Sequence, residues 1–146
     1  MRADKKDGIT VDRVYIREKD REDFERLRDR DSPLCKCENK ELFLLAMATG
    51  FYNGTKIELG EKKFGFVRIE YFNRKEKAII YAVAIYDTGT IEVLHDKRKV
   101  YSIAEEYATG GIKLLKDKAI GVDEFGSYFK RLEIELLEEI KKLDLR

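Results

Sequence analysis

The sequence predicts an α+β fold, mainly helical with a small β contribution: an N-terminal strand-helix-helix segment followed by a helical bundle. Three observations carry this prediction. Apolar residues recur every three or four positions through long stretches of the second half, as in "IAEEYATGGIKLLKDK" at residues 103–118. Alternation of apolar and polar residues is clearest in one short run, "VDRVYIR" at residues 11–17. Hydrophobic residues make up 43% and charged residues 40% of the 146, which describes a real core under a heavily ionic surface and not a disordered chain.

Residues 1–10, "MRADKKDGIT", are polar and expected to be flexible, leaving residues 11–146 as a single compact domain. Residues 11–17 read as a strand with Val14 and Ile16 on one parity and Arg13, Tyr15 and Arg17 on the other. Asp20 is placed to cap a first helix, with Glu22, Asp23 and Glu25 near its positive end and Phe24 and Leu27 facing the core. Pro33 is expected to end it. Asn39 is expected to cap a second helix, with Leu42, Phe43, Leu45, Ala46 and Thr49 on its buried side and Gly50 or Asn53-Gly54 as its stop. "GTKIELGEKKFGFVRIEYF" is broken by Gly54, Gly60 and Gly65, and reads as a loop followed by a short extended segment. In that segment Val67, Ile69 and Tyr71 alternate with Arg68 and Glu70.

Ala78, Ile79, Ala82, Ile85 and Tyr86 mark a third helix, which Gly89 ends. Ile80, Tyr81 and Val83 make it apolar nearly all round, which predicts a central position. Asp96 caps a fourth, in which Val100, Ile103, Ala104, Tyr107, Ala108, Gly111 and Leu115 share a face. Gly110-Gly111 inside it costs about 1 kcal/mol per glycine, so a close helix crossing or a kink is expected there. Asp123 is expected to cap a final helix, whose Phe125, Phe129, Leu132, Leu136, Ile140 and Leu143 form one stripe. That stripe either covers the core or pairs with a second copy of itself.

Net charge is only +1, so a nucleic-acid surface would have to be a local patch and not a global field. The chain has no Gln and three Asn among abundant Lys, Arg and Glu, a composition similar to that of thermophile proteins. The absence of a long apolar run predicts no membrane partner, and the polar N-terminus predicts a cytoplasmic, reducing location with Cys35 and Cys37 as thiols.

The opening strand carries the sharpest functional expectation. In the ribbon-helix-helix arrangement, which this strand-helix-helix order resembles, two copies of a short strand pair across a dimer and present alternate side chains to the major groove of duplex DNA. Arg13, Tyr15 and Arg17 would form the reading parity, arginine because its planar fork can bond guanine through two donors. Lys19 and Arg21 would contact phosphates. The loop from Asp29 to Glu38 is longer than the tight turn of that motif, and Asp12 and Glu18 would repel phosphate. The competing reading is an edge strand with a solvated, charged outer face.

Other features carry less. "CKCE" lacks the two further ligands and the spacing of a metal site, so two ordinary thiols are expected and no metal or cofactor. His95-Asp96 invites a general-base reading, as in a hydrolase or nuclease, yet no nucleophile stands near it in sequence. Glu105-Glu106 and the run "EIELLEEI" read as solvated salt-bridge partners on polar helix faces. Tyr81, Tyr86, Tyr101 and Tyr107 read as core rim before a stacking surface. No phosphate-loop, dinucleotide, zinc-protease or nucleophile-elbow signature occurs, and no catalytic residue is expected.

Three segments, "KELFLLAMATGFYNGTKIELGE", "KAIIYAVAIYDTGTIEVL" and "IAEEYATGGIKLLKDK", together resemble a family of small accessory proteins encoded beside dnd-type DNA phosphorothioation systems. "MATGFYNG" and "EEYATGG" carry the likeness most directly, and "RVYIREKDREDFERL" is in keeping with it. Those systems place sulfur on the DNA backbone and restrict DNA that lacks the mark. The resemblance implies a non-enzymatic accessory or regulatory role in a DNA-modification and host-defence system. Its implied partners are duplex DNA, a second copy of the chain, or other proteins of the system. The alternative is a protein-protein interaction subunit that docks through the amphipathic C-terminal helix without touching DNA.

Overall fold

The computed structural model describes residues 11–120 and 125–144, with side chains described for 11–120 and 133–143. The expected flexible segment 1–10 and the expected Asp123 cap lie outside the described residues. β1 (Arg13–Arg17) opens the chain, with Val14 and Ile16 buried and Arg13, Tyr15 and Arg17 half-buried on the opposite parity. It pairs antiparallel with β2 (Lys63–Arg68) of the same chain. The ribbon is therefore made within one chain, which corrects the expectation that β1 pairs with its copy. Between Val14 and Tyr15 the register shifts, because Phe66 is an extra residue on β2. That bulge lets the Phe66 ring stack on Phe24 at 4.6 Å between centroids.

A 3-10 turn (Glu18–Asp20) leads into α1 (Arg21–Leu27), which buries Asp23, Phe24 and Leu27. Asp20 does not cap α1, because its carboxylate is taken by Arg17. The helix stops at Leu27, well before Pro33, in a chain of turns held by Asp29, Ser32 and Leu34 carbonyls. α2 (Asn39–Tyr52) is capped by Glu38 and not Asn39: Glu38 and Glu41 form a capping box. Asn39 instead accepts a hydrogen bond from Arg28 at 3.0 Å. The buried face of α2 is Leu42, Phe43, Ala46, Met47 and Gly50, while Leu45 is exposed. After β2 a 3-10 turn (Ile69–Tyr71) replaces the expected continuation of the strand.

α3 (Arg74–Thr88) has a capping box from Asn73 and Glu76 and ends at Gly89, whose φ of 77° suits the left-handed cap. It is not central. Only Ile80, Val83 and Ala84 are buried, while Ile79 and Tyr86 are exposed. The central element is α4 (Lys97–Ala119), started by Asp96 as expected, which packs against β1, α1, α2 and α3. α2 and α4 cross so closely that a Cβ on Gly111 would strike the Ala46 carbonyl oxygen, and one on Gly50 would strike that of Tyr107. The Gly110-Gly111 pair is thus explained by backbone approach. α5 (Phe125–Asp144) is the last helix. The α+β class and the strand-helix-helix order are as the sequence predicts.

Candidate functional site

The outward parity of β1 does not act as one surface. Arg17 turns to Asp20, donating at 2.9 and 3.2 Å to a carboxylate that is 1% exposed. Lys113 of α4 approaches the same carboxylate at 3.9 Å and Asp23 at 2.7 Å, and Lys116 reaches Asp23 at 3.0 Å. Burial opposes ionisation of Asp23, but Lys113 and Lys116 outweigh it and hold the carboxyl below its usual range. This network ties the end of β1 and the start of α1 to α4. Lys19 is exposed, and Arg21 lies over the Phe64 ring at 3.9 Å with Glu18 and Glu25 beside it. Of the five expected contact residues, Arg17 is therefore committed to the fold. Lys19 and Arg21 stand among acids.

Arg13 and Tyr15 are placed differently. They line a pocket of 340 Å³ between the ribbon and the first turns of α4, with Lys63 from β2 and Arg98, Ser102 and Glu105 from α4. Tyr101 and Ser102 each stand three or four residues from both Arg98 and Glu105, so a single stripe of α4 closes this side. The Tyr15 backbone N–H donates to Glu105 Oε2 at 2.9 Å. At Tyr15 a carboxylate thus occupies the edge that a two-copy ribbon would use. Glu105 is not the solvated salt-bridge partner expected from sequence. Burial pushes its carboxyl up to about 7, against the downward pull of the Tyr15 N–H and the Lys63 charge.

The cations of the pocket are lightly held. Lys63 and Arg98 have no ion pair among the described residues, and the Lys63 ammonium lies 5.3 Å from the Tyr15 ring centroid. Arg13 pairs with Asp12 at 3.2 Å, but the two side chains are 37% and 61% exposed, so the pair is worth little. Sequence reasoning finds Arg13 and Tyr15 and misses Lys63, Arg98, Ser102 and Glu105. The available signal is a polar stripe on the apolar helix, Arg98-Ser102-Glu105, in register with the strand.

Cys35 and Cys37 are free, and burial with Glu41 and Cys35 nearby raises the Cys37 thiol, which disfavours the thiolate. No group of three or more metal-ligating side chains occurs among the described residues. His95 is exposed at the end of a 3-10 turn (Ile91–His95). Tyr101 and Tyr107 are buried, whereas Tyr86 is 77% exposed. Tyr107 donates to Asp87 at 2.6 Å, and burial followed by that carboxylate raises its hydroxyl to about 12. No helix among the described residues is long and apolar enough to cross a membrane.

α5 presents a second kind of surface. All residues from 133 to 143 are exposed, including Ile134, Leu136, Leu137, Ile140 and Leu143 at 49–62%. Leu136, Ile140 and Leu143 of the predicted stripe fall within one side of the helix, and Leu137, outside that stripe, flanks them. Phe125, Phe129 and Leu132 of that stripe have side chains outside the described part.

Comparison with curated proteins finds no match, and neither does comparison with solved structures. A family model does match. It is described as DNA sulphur modification system-associated protein 4 and covers residues 16–143, from the last two residues of β1 to the end of the α5 stripe. Most of the pocket lining and the whole aliphatic side of α5 fall inside that span. The segments that resemble the dnd-associated accessory proteins lie within it too, and the chain belongs to the DNA sulphur modification system-associated protein 4 family, an accessory family of DNA sulphur modification systems.

Proposed function

We propose that this chain is a non-enzymatic docking subunit that joins another protein of the DNA sulphur modification system through α5. The observation that carries this is the exposure of every residue from 133 to 143 on a helix with one aliphatic side. An amphipathic helix gains most of its stability in a protein from a surface that covers its apolar face. The four half-exposed aliphatic side chains of that side offer on the order of 300 Å², against roughly 800 Å² per partner in a stable pairwise interface. Pairing α5 with its own copy covers only that stripe. A partner with an apolar groove also covers the flanks of the helix, so a groove-bearing protein of the same system fits better.

The test uses the full chain with the purified proteins of its system. Leu136→Asp/Ile140→Asp is expected to weaken association with one of them about 100-fold, the effect of removing central interface anchors. Circular dichroism checks that residues 11–120 still fold. Unchanged affinity for each protein of the system overturns the reading. So does a concentration-dependent mass in light scattering that these substitutions halve, since that assigns α5 to self-pairing.

Duplex contact through the ribbon is the second reading, supported by Arg13 and Tyr15 on the accessible parity beside Lys63 and Arg98. Arg17 is withdrawn from it by Asp20. Arg13→Ala/Lys63→Ala is expected to lower duplex affinity at low salt by roughly tenfold and to reduce the salt slope by about two, one for each phosphate that is no longer neutralised. Equal binding and equal salt slope for the variant and the wild type would falsify it.

A further inference from the structure

The pocket behind β1 has features that neither docking through α5 nor a solvated strand explains. It gathers three cations from three elements: Arg13 from β1, Lys63 from β2 and Arg98 from α4. Two of them, Lys63 and Arg98, lack an ion pair among the described residues. The lining also holds the Asp12 and Glu105 carboxylates, but Asp12 pairs with Arg13 and Glu105 accepts the Tyr15 N–H, so three cations against two acids leave the pocket net positive and suited to an anion. The Ser102 hydroxyl adds a donor, and the Tyr15 ring adds an aromatic wall. At 340 Å³ the cavity suits a small ligand and not a duplex.

We propose that this pocket binds a phosphate-class oxyanion between Arg13, Lys63 and Arg98, and that Glu105 makes the binding proton-linked. This goes beyond docking through α5 and stands independently of it. The groups facing Glu105 come from each neighbouring element. Arg13 and Tyr15 come from β1, with Asp12 just before it, and Lys63 comes from β2. Arg98, Tyr101 and Glu106 come from α4 itself. An ionised Glu105 repels an incoming anion, whereas a neutral one can donate a hydrogen bond to it. Burial has already brought this carboxyl to about 7, so a modest change in pH selects between the two states. The sign follows: the anion binds more tightly as pH falls through 7, and binding draws a proton onto Glu105. The ligand is a phosphate monoester, supplied either by a free mononucleotide or by the terminal phosphate of a DNA strand.

Calorimetric titration of the full chain with inorganic sulfate is the first arm, at constant ionic strength set by chloride. Sulfate is the probe because a phosphate monoester itself titrates near pH 6. Saturable binding is expected, about tenfold tighter at pH 6 than at pH 8, the change in the neutral fraction of a carboxyl that titrates at about 7. Lys63→Ala and Arg98→Ala should each weaken binding about tenfold at pH 6, the cost of one charge-assisted hydrogen bond. Both residues are exposed, so the fold should survive, and a thermal melt checks it. Glu105→Gln keeps an acceptor for the Tyr15 N–H and should bind sulfate equally at both pH values. The second arm compares a deoxynucleoside monophosphate with its nucleoside, and a 5′-phosphorylated single strand with its 5′-hydroxyl form. A phosphate-dependent gain confined to the first pair assigns the free monoester, and one seen in the second pair assigns the strand end. Absence of saturable sulfate binding overturns the proposal. So does binding indifferent to Lys63→Ala and Arg98→Ala, or a pH dependence that persists in Glu105→Gln.

Discussion

Gly111→Ala is expected to destabilise the protein by on the order of 2–3 kcal/mol, at the upper end of what one extra methyl does to a packed core. In an exposed helix the same change would stabilise by about 1 kcal/mol, because alanine has the better helix propensity. Here the new Cβ would meet the Ala46 carbonyl oxygen and the Gly50 backbone of α2. Both are main-chain atoms inside a helix, so neither can rotate away as a side chain would. Relief requires α2 and α4 to separate, and separation opens gaps around Leu42, Met47, Ala108 and Ile112, all at most 1% exposed. For a chain of this size the destabilisation corresponds to a fall in Tm of roughly 5–10 °C. Gly60→Ala is the control: its φ of 82° strains an alanine, but open space surrounds it. It should cost about 1–2 kcal/mol through backbone conformation alone. A Gly111→Ala protein as stable as the wild type would show that the helices do not cross at this distance.

The same crossing shows what is legible in the sequence. Two adjacent glycines inside an otherwise strong helical pattern have a local penalty that only a close neighbour offsets, so the crossing can be read without coordinates. The alternation of Val14 and Ile16 with Arg13, Tyr15 and Arg17 is legible for the same reason: a period of two has one structural meaning. What is not legible is what each charge meets. Asp20 looks like a helix cap and Arg17 like a DNA-reading residue when each is viewed alone. Three residues apart around a 3-10 turn, they satisfy each other. The central position of α4 is hidden because α3 has more apolar residues around its circumference. Circumference does not decide burial: Ile79 and Tyr86 remain exposed, while Gly110, Gly111 and Thr109 are covered. Glu105 misleads because a carboxylate beside another on a helix is usually solvated, and its partner, the Tyr15 N–H, lies 90 residues away.

Arg17 decides how far the strand can serve recognition, and a double-mutant cycle with Asp20 measures its commitment. Arg17→Ala is expected to cost about 2–3 kcal/mol, since it leaves the almost fully buried Asp20 carboxylate with Lys113 alone, at 3.9 Å. Asp20→Ala should cost less, about 1–2 kcal/mol, because the Arg17 side chain is 17% exposed and can turn to water once its partner is gone. The double variant should fall short of the sum by about 1.5–3 kcal/mol, the range for a hydrogen bond between charged groups. Urea unfolding with an unchanged m-value is the appropriate measurement, as the change is in stability and not in the surface exposed. Strong coupling would mean that any DNA approaching this face must break a structural pair before it makes a bond of its own, which leaves Arg13 and Lys63 as the competent cations. Additive costs would return Arg17 to the accessible face and with it the two-arginine reading of β1.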